Sequence, residues 1–288
     1  MSEELIVQAV ISGLLMGLIY ALVAVGLTLI FGLMEIVNFA HGEFLMLAMF
    51  TAFWFWALGG LDPMLSLPFV VILLALAGIL TQLGIIRRLL KAPMLAQICG
   101  TFGLGVALRA LAQFLWTPDF RTITNPLIAG RVQIGPIFIG EPQLVTGGVC
   151  VLSFAALWWF VTRTETGLGL QATAQDRQAA AVMGIATERM FALGWAIGIG
   201  CVGIAGTMLS TFYYIFPEVG TNFALLAYVA VALGGFGNIL GSLFAGALIG
   251  VVESLGGLLL DPSYKTLIVF ALYLAVVIFR PYGLFGRF

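Results

Sequence analysis

The sequence predicts an all-α fold, a polytopic bundle of eight or nine transmembrane helices that forms a single domain over residues 1–288. Hydrophobic residues make up 62% of the chain and charged residues 9%, whereas soluble domains carry about 25% charged residues. The apolar residues form runs long enough to cross a bilayer, which takes about 20 residues. Small residues recur at four-residue spacing, as in Gly13 and Gly17, a pattern that lets helix backbones approach closely in lipid.

The apolar runs define the expected spans. They cover residues 6–34, 44–58, 64–86, 94–116, 144–161, 190–214, 223–260 and 266–279. The seventh run is too long for one span, and the glycine-rich residues 234–238 are expected to divide it. The count is therefore nine crossings, or eight if residues 35–50 form a re-entrant segment.

Basic residues set the orientation, because Lys and Arg near span ends favour the cytoplasmic side. With nine crossings, Arg87, Arg88 and Lys91 fall on the same side as Arg280 and the segment 163–189. The short loops on the opposite side are acidic or neutral. We therefore expect segment 163–189 to be cytoplasmic.

Segment 163–189 is a polar island between two apolar runs. Its middle, residues 171–183, is rich in Ala and Gln, which are good helix formers. This composition predicts a short amphipathic helix outside the membrane. Such a helix, held between two spans, is suited to docking a soluble partner.

Two ionisable residues are expected to lie deep in the membrane, where charged groups are rare and functional by default. Arg109 and Glu253 each lie about two helical turns from the outer end of their span. Their similar depth predicts an intramembrane ion pair, and we favour a structural pair over a substrate contact.

The break between the first two spans contains Asn38, His41 and Glu43. Non-helical backbone at membrane depth is tolerated only where protein or water covers it, so one interpretation places these residues beside a translocation pathway or gate. The other is a helix start at the cytoplasmic surface, capped by Asn38 or His41. The sequence leaves both open.

Several activities are disfavoured. No GxxxxGK[ST] phosphate loop or GxSxG elbow occurs, and a lone His without further ligands does not make a metal site. The spacing of the three cysteines fits neither a disulfide framework nor a zinc site. No basic patch suggests nucleic-acid binding. We expect no metal or cofactor on this chain, and an energy source outside it.

Four segments together resemble the permeases of bacterial branched-chain amino acid importers of the ATP-binding cassette class. They are residues 17–32 (GLIYALVAVGLTLIFG), 37–44 (VNFAHGEF), 174–185 (AQDRQAAAVMGI) and 233–241 (LGGFGNILG). The resemblance implies a multi-pass protein of the bacterial inner membrane with a second permease subunit, a heterodimer being favoured. It also implies two cytoplasmic ATPase subunits that bind ATP and Mg, and a periplasmic substrate-binding protein.

The resemblance also implies that segment 163–189 is the coupling segment seated in the ATPase. Importer permeases often show Glu-Ala-Ala, three residues, then Gly, and this chain has Gln178 in place of the Glu. The residues expected to couple to the ATPase are Gln175, Asp176, Arg177, Gln178, Ala179, Ala180, Met183 and Gly184. Ala179 and Ala180 permit close docking, and Gly184 can end the helix.

The substrate is less constrained, because the same family resembles permeases for urea, short amides and aromatic acids. Branched-chain amino acids are the expected substrates. The alternative function is an ion-coupled secondary transporter, for which only Glu253 and Glu43 offer membrane carboxylates. An intramembrane enzyme is disfavoured because the catalytic motifs are missing.

Overall fold

The computed structural model describes residues 3–286 and confirms the all-α bundle. The helices are α1 (Glu3–Met34), α2 (His41–Gly59), α3 (Pro63–Thr81), α4 (Met94–Trp116), α5 (Glu141–Arg163), α6 (Glu165–Gln175), α7 (Arg177–Val182), α8 (Thr187–Leu209), α9 (Val219–Gly234), α10 (Ile239–Leu259) and α11 (Lys265–Phe279). A π-helical turn (Gln82–Ile86) extends α3 to Leu89, and a 3-10 turn (Pro262–Tyr264) precedes α11. Among the described residues, eight of these helices are long and apolar enough to cross a membrane. The shorter α9 has 16 residues.

Local sequence explains several helix ends. Gly60 ends α2 in the left-handed conformation, with φ of 62°, which glycine adopts without steric cost. Asp62 then caps α3 by accepting a hydrogen bond from the Met64 amide at 2.9 Å. In the loop after α4, strands β1 (Arg131–Ile134) and β2 (Ile137–Gly140) form a small antiparallel hairpin.

One end of the bundle gathers the elements that the charge pattern assigns to the cytoplasm, and we call it the inner end. The C-terminal part of α1 meets the start of α8 here, since a Cβ on Gly194 would overlap Leu33. Arg87 and Glu188 form an exposed ion pair at 2.7 Å at the same end. The α2–α3 turn lies at the opposite, outer end, where Asp62 and Thr211 line one small cavity.

Small residues let α1 pack directly on α10. A Cβ on Gly13 would lie 2.6 Å from the Gly250 carbonyl oxygen, and a Cβ on Gly17 would lie 2.8 Å from that of Gly246. These contacts confirm that the four-residue spacing in α1 and α10 marks a helix interface. The most buried part of the molecule is the middle of α1, residues 19–30.

Two helices begin inside the bundle rather than at its ends. His41, the first residue of α2, is fully buried and its Nε2 lies 3.0 Å from the carbonyl oxygen of Val23 in the middle of α1. The first turn of α9 packs against the same place, because Gly220 lies backbone to backbone with Gly42. From this meeting point α2 runs to the outer end and α9 to the inner end. Segments 35–40 and 210–218 connect these starts to the preceding helices without forming helix.

The two halves of the chain repeat one arrangement in opposite directions. Each has a long helix, a non-helical segment, a helix that starts inside the bundle, a tight turn and another long helix: α1–α2–α3 and α8–α9–α10. The packing is reciprocal, since α1 lies along α10 while α8 lies along α3. Inverted repeats of this kind place functional sites where the discontinuous helices meet.

Candidate functional site

The candidate site is the junction where the N-termini of α2 and α9 meet. A Cβ on either Gly42 or Gly220 would overlap the carbonyl oxygen of the other, so only glycine fits at both positions. Helix N-termini carry a partial positive charge that stabilises nearby carboxylates. Each start has one: Glu43 in the first turn of α2 and Glu218 immediately before α9.

Arg109 of α4 binds the carboxylate of Glu43. The guanidinium contacts one oxygen through Nε at 3.1 Å and also through Nη2. The Glu43 side chain is 4% exposed and that of Arg109 is 33% exposed, so the pair lies at the edge of the buried interior. Among the described residues, the second Glu43 oxygen has no hydrogen-bond partner.

The predicted pair between Arg109 and Glu253 is therefore wrong. Glu253 accepts a hydrogen bond from Tyr20 at 2.7 Å and pairs with Lys265 at 3.3 Å. The physical reason is helix neighbourhood: α4 packs against α2, while Glu253 lies on α10, which packs against α1 and α11. Similar depth in the membrane does not make two helices adjacent.

A second residue of α4 reaches the other carboxylate. Gln113, one turn after Arg109, donates its side-chain amide to Glu218. Neither Gln113 nor Glu218 was predicted from the sequence to be a site residue. The spacing of Arg109 and Gln113 was the available signal, since residues four apart lie on one helix face. One face of α4 therefore binds the carboxylates at the starts of both α2 and α9.

Asn38 and His41 hold the backbone of the break in place. The side-chain oxygen of Asn38 accepts from the Ala40 amide at 3.1 Å, and its carbonyl accepts from the Tyr228 hydroxyl at 2.8 Å. Because a carbonyl can only accept, the Nε2 of His41 donates to the carbonyl oxygen of Val23. Ala40 occupies the cap position of α2 without a side-chain cap. The structure thus gives Asn38 and His41 buried positions inside the bundle, away from its surface.

The predicted coupling segment forms two short helices. The expected single helix over residues 171–183 is interrupted at Asp176, which is extended with φ of −152°. Its carboxylate accepts from the amides of Gln178 and Ala179 at 2.8 and 2.9 Å. Asp is a strong N-cap former, and this preference outweighs the helical composition around it.

The end of α7 follows the prediction made for Gly184. Gly184 has φ of 86°, and the Ile185 amide bonds back to the Ala180 carbonyl at 3.0 Å. This is the Schellman arrangement, which favours glycine because of the positive φ. The glycine therefore turns the chain from α7 towards α8.

The predicted coupling residues divide into an outer and an inner set. Those exposed to the inner end are Gln175, Asp176, Arg177, Gln178, Ala179, Met183 and Gly184. Ala180 is 4% exposed and faces the body of the protein, so it does not contribute to the surface. The Arg177 guanidinium lies 4.8 Å from the centre of the Phe191 ring in α8. Two apolar side chains at the end of α7, Val182 and Met183, are 87% and 82% exposed. We call the surface formed by these two residues and the exposed residues named above the coupling surface.

Within residues 3–286, no group of three or more His, Cys, Asp or Glu side chains could hold a metal ion. The site offers fixed charges, helix termini and close backbone contacts.

Comparison with known proteins agrees with the sequence resemblance. The family described as branched-chain amino acid transport system, permease component, matches residues 9–277. The high-affinity branched-chain amino acid transport permease LivH of Escherichia coli is 29% identical, covering 100% of this chain and 98% of that protein. BraD, the corresponding permease of Pseudomonas aeruginosa, is 28% identical over 97% of this chain and 95% of its own length.

A more distant relative has a different named substrate. The autoinducer 2 import permease LsrC of Salmonella paratyphi B is 25% identical, covering 69% of this chain and 58% of that protein. No solved structure matches the chain. The nearly full-length family match shows that this chain belongs to the permease components of branched-chain amino acid transport systems.

Proposed function

We propose that this protein is the membrane-spanning permease subunit of an ATP-driven importer, and that it translocates branched-chain amino acids. The named substrates of LivH and BraD support the substrate class. The eight apolar helices and the family match make it a multi-pass protein of the inner membrane. The exposed coupling surface of α7 is the observation on which the ATP-driven mechanism depends.

The proposed assembly has partners on both faces. Two ATPase subunits lie at the inner end, where they bind the coupling surface. The same subunits bind ATP and Mg. A periplasmic binding protein delivers substrate at the outer end, and a second, related permease subunit completes the core as a heterodimer. In this proposal ATP is hydrolysed on the ATPase subunits, and this chain itself carries no cofactor.

The proposed mechanism transmits movement from α7 to the junction through α8. A four-residue turn, residues 183–186, joins α7 to α8. Near the junction, α8 contacts α1 and α2 through backbone atoms. A Cβ on Gly198 would lie 2.7 Å from the Gly26 oxygen of α1, and one on Gly206 would lie 2.8 Å from the Leu45 oxygen of α2. Such backbone contacts deform little, so a shift of α8 displaces the start of α2, which lies backbone to backbone with the start of α9 at Gly42 and Gly220. We propose that Asn38, His41 and Glu43 belong to the gate that this displacement opens.

Changing Met183 tests the coupling surface. Met183→Asp is expected to abolish ATP-dependent uptake of leucine by the reconstituted complex and to weaken ATPase binding about tenfold or more, since burying such a side chain contributes about 1.5–3 kcal/mol. The permease should still insert and keep its thermal stability, because the side chain is exposed. Met183→Leu is the matched control and should transport normally. Normal uptake by Met183→Asp would contradict the assignment.

The alternative secondary transporter predicts a different result. In that case the purified chain alone would accumulate solute in liposomes under an ion gradient. The structure gives one reason to disfavour it: the buried carboxylate Glu43 is held by Arg109, so it is not free to exchange an ion. The same liposomes without ATPase subunits distinguish the two functions.

A further inference from the structure

A cavity of about 400 Å³ opens between α1, α9, α10 and the start of α11. Its volume lies within the range of about 300–1,000 Å³ typical of small-molecule sites. It is separate from the Glu43–Arg109 pair, neither residue of which lines it. The cavity lies beside the last third of α10 and the beginning of α11, in the outer half of the molecule.

The cavity wall contains one carboxylate and one ammonium group side by side. Glu253 is the only charged residue of α10, and its side chain is 13% exposed. One oxygen accepts the Tyr20 hydroxyl at 2.7 Å, and the other lies 3.3 Å from Nζ of Lys265. The carboxylate is therefore fixed by a buried tyrosine and faces a half-exposed lysine.

The contact between Glu253 and Lys265 is long for an ion pair and partly exposed to solvent. Its length exceeds the roughly 2.7–2.9 Å usual for charge-assisted bonds between these groups, and the Lys265 side chain is 51% exposed. Lys265 is also the first residue of α11, the end of a helix where the dipole disfavours a cation. Neither feature is typical of an ion pair that stabilises a fold.

The rest of the wall combines apolar and aromatic side chains with four uncharged polar ones, Ser12, Asn222, Ser254 and Thr266. Met16, Phe223 and Leu226 line the cavity. The Phe223 ring lies between those of Tyr20 and Tyr213, with ring centres 5.6 and 5.5 Å apart. An aliphatic side chain of moderate size would remove water from these surfaces on binding.

We propose that this cavity is a transit site for a zwitterionic α-amino acid, with the ligand ammonium on Glu253 and the ligand carboxylate on Lys265. When the ligand binds, the ion pair between Glu253 and Lys265 is replaced by two ion pairs, one between each of these residues and the ligand. The aliphatic side chain of the ligand contacts the apolar part of the wall. Urea and short amides lack both charges, so the cavity favours amino acids over them. This inference rests on the proposed function and adds a site on this chain.

The position of the cavity connects it to the junction. Phe223 lies in the first turns of α9, and the next residue, Ala224, contacts Gly42. A movement that separates α9 from α2 therefore also changes the inner wall of the cavity. An amino acid entering at the outer end meets Glu253 and Lys265 before it reaches the junction.

Protection of an engineered cysteine tests the site directly. Thr266 lines the cavity and Ser263 lies nearby on the outer surface without lining it. In the complete transporter, Thr266→Cys and Ser263→Cys are each introduced after the three native cysteines, Cys99, Cys150 and Cys201, are changed to alanine. An impermeant thiol reagent is added from outside in the presence of L-leucine or of isovaleramide, which has a similar branched group but no charge.

L-leucine at about ten times its dissociation constant is expected to slow modification of Thr266→Cys about tenfold, because about a tenth of the sites stay free. Modification of Ser263→Cys should be unaffected, and isovaleramide should protect neither position. Adding Glu253→Gln or Lys265→Gln should weaken protection about tenfold or more, as expected for losing a hydrogen bond to a charged group. Thermal unfolding checks that both variants remain folded.

Three results would overturn the proposal: no protection by leucine in a complex that imports leucine, equal protection by isovaleramide, or protection that survives both charge-neutralising variants. Failure of the unmodified complex to import leucine would instead overturn the proposed function, and this inference with it. Uptake and protection are measured on the same liposomes, so the two failures are distinguishable.

Discussion

Gly42→Ala is expected to abolish transport. The added methyl group would overlap the carbonyl oxygen of Gly220 and press on the Cβ of Ala224, 2.7 Å away. Both obstacles are parts of the rigid start of α9, so the overlap cannot be relieved by a rotamer change. Overpacking of this kind costs typically about 1–3 kcal/mol, and here it also separates the two helix starts that form the proposed gate. Uptake by the reconstituted complex and thermal unfolding of the permease measure the two effects.

The matched control is Gly103→Ala in α4, where an added Cβ meets no atom within 4 Å. This variant should transport normally and be slightly more stable, because alanine is the better helix former. Gly220→Ala should reproduce the defect of Gly42→Ala from the other side of the contact. Normal uptake by either variant at the junction would show that α2 and α9 do not meet as described.

Arg109→Ala is expected to destabilise the permease by about 3–5 kcal/mol, because it leaves the buried Glu43 carboxylate without its counter-charge. Glu43→Gln combined with Arg109→Gln should cost less than Arg109→Ala alone, since no unpaired charge remains. The double-mutant cycle for these two positions, measured by chemical or thermal unfolding in detergent, should give a clear coupling energy.

The same cycle applied to Arg109 and Glu253 supplies the control. These residues bind different partners, so their effects should add to within about 0.5 kcal/mol. A large coupling between Arg109 and Glu253, or none between Arg109 and Glu43, would contradict the packing of α4 against α2.

Several features that depend on local composition were predicted correctly, although the single helix expected over residues 171–183 was not, because Asp176 caps a new helix there. Apolar runs of sufficient length located the spans, and the glycines at 13 and 17 marked a helix interface that the structure confirms. The positive φ at Gly184 was also foreseeable, because a glycine after an Ala-rich helix commonly ends it. The break after α1 was recognised from its polar residues, although two positions for it remained open.

What the sequence could not provide is which helices become neighbours. The pairing of Arg109 with Glu43 requires α4 to lie beside α2, and no local pattern states this. The inward orientation of Ala180 likewise depends on how α7 rests against α8. The inverted repeat is not visible in the sequence, because its two halves share an arrangement of helices while their side chains differ.

The most direct test of the central claim is the accessibility of Met183 in the assembled transporter. With Met183→Cys as the only cysteine, an impermeant thiol reagent should modify it in inside-out vesicles and not in intact cells, and ATPase subunits bound to the permease should protect it. Two results would contradict the claim that ATPase subunits act on this protein through the coupling surface. These are modification from outside the cell, and modification that is unchanged when the ATPase subunits are bound.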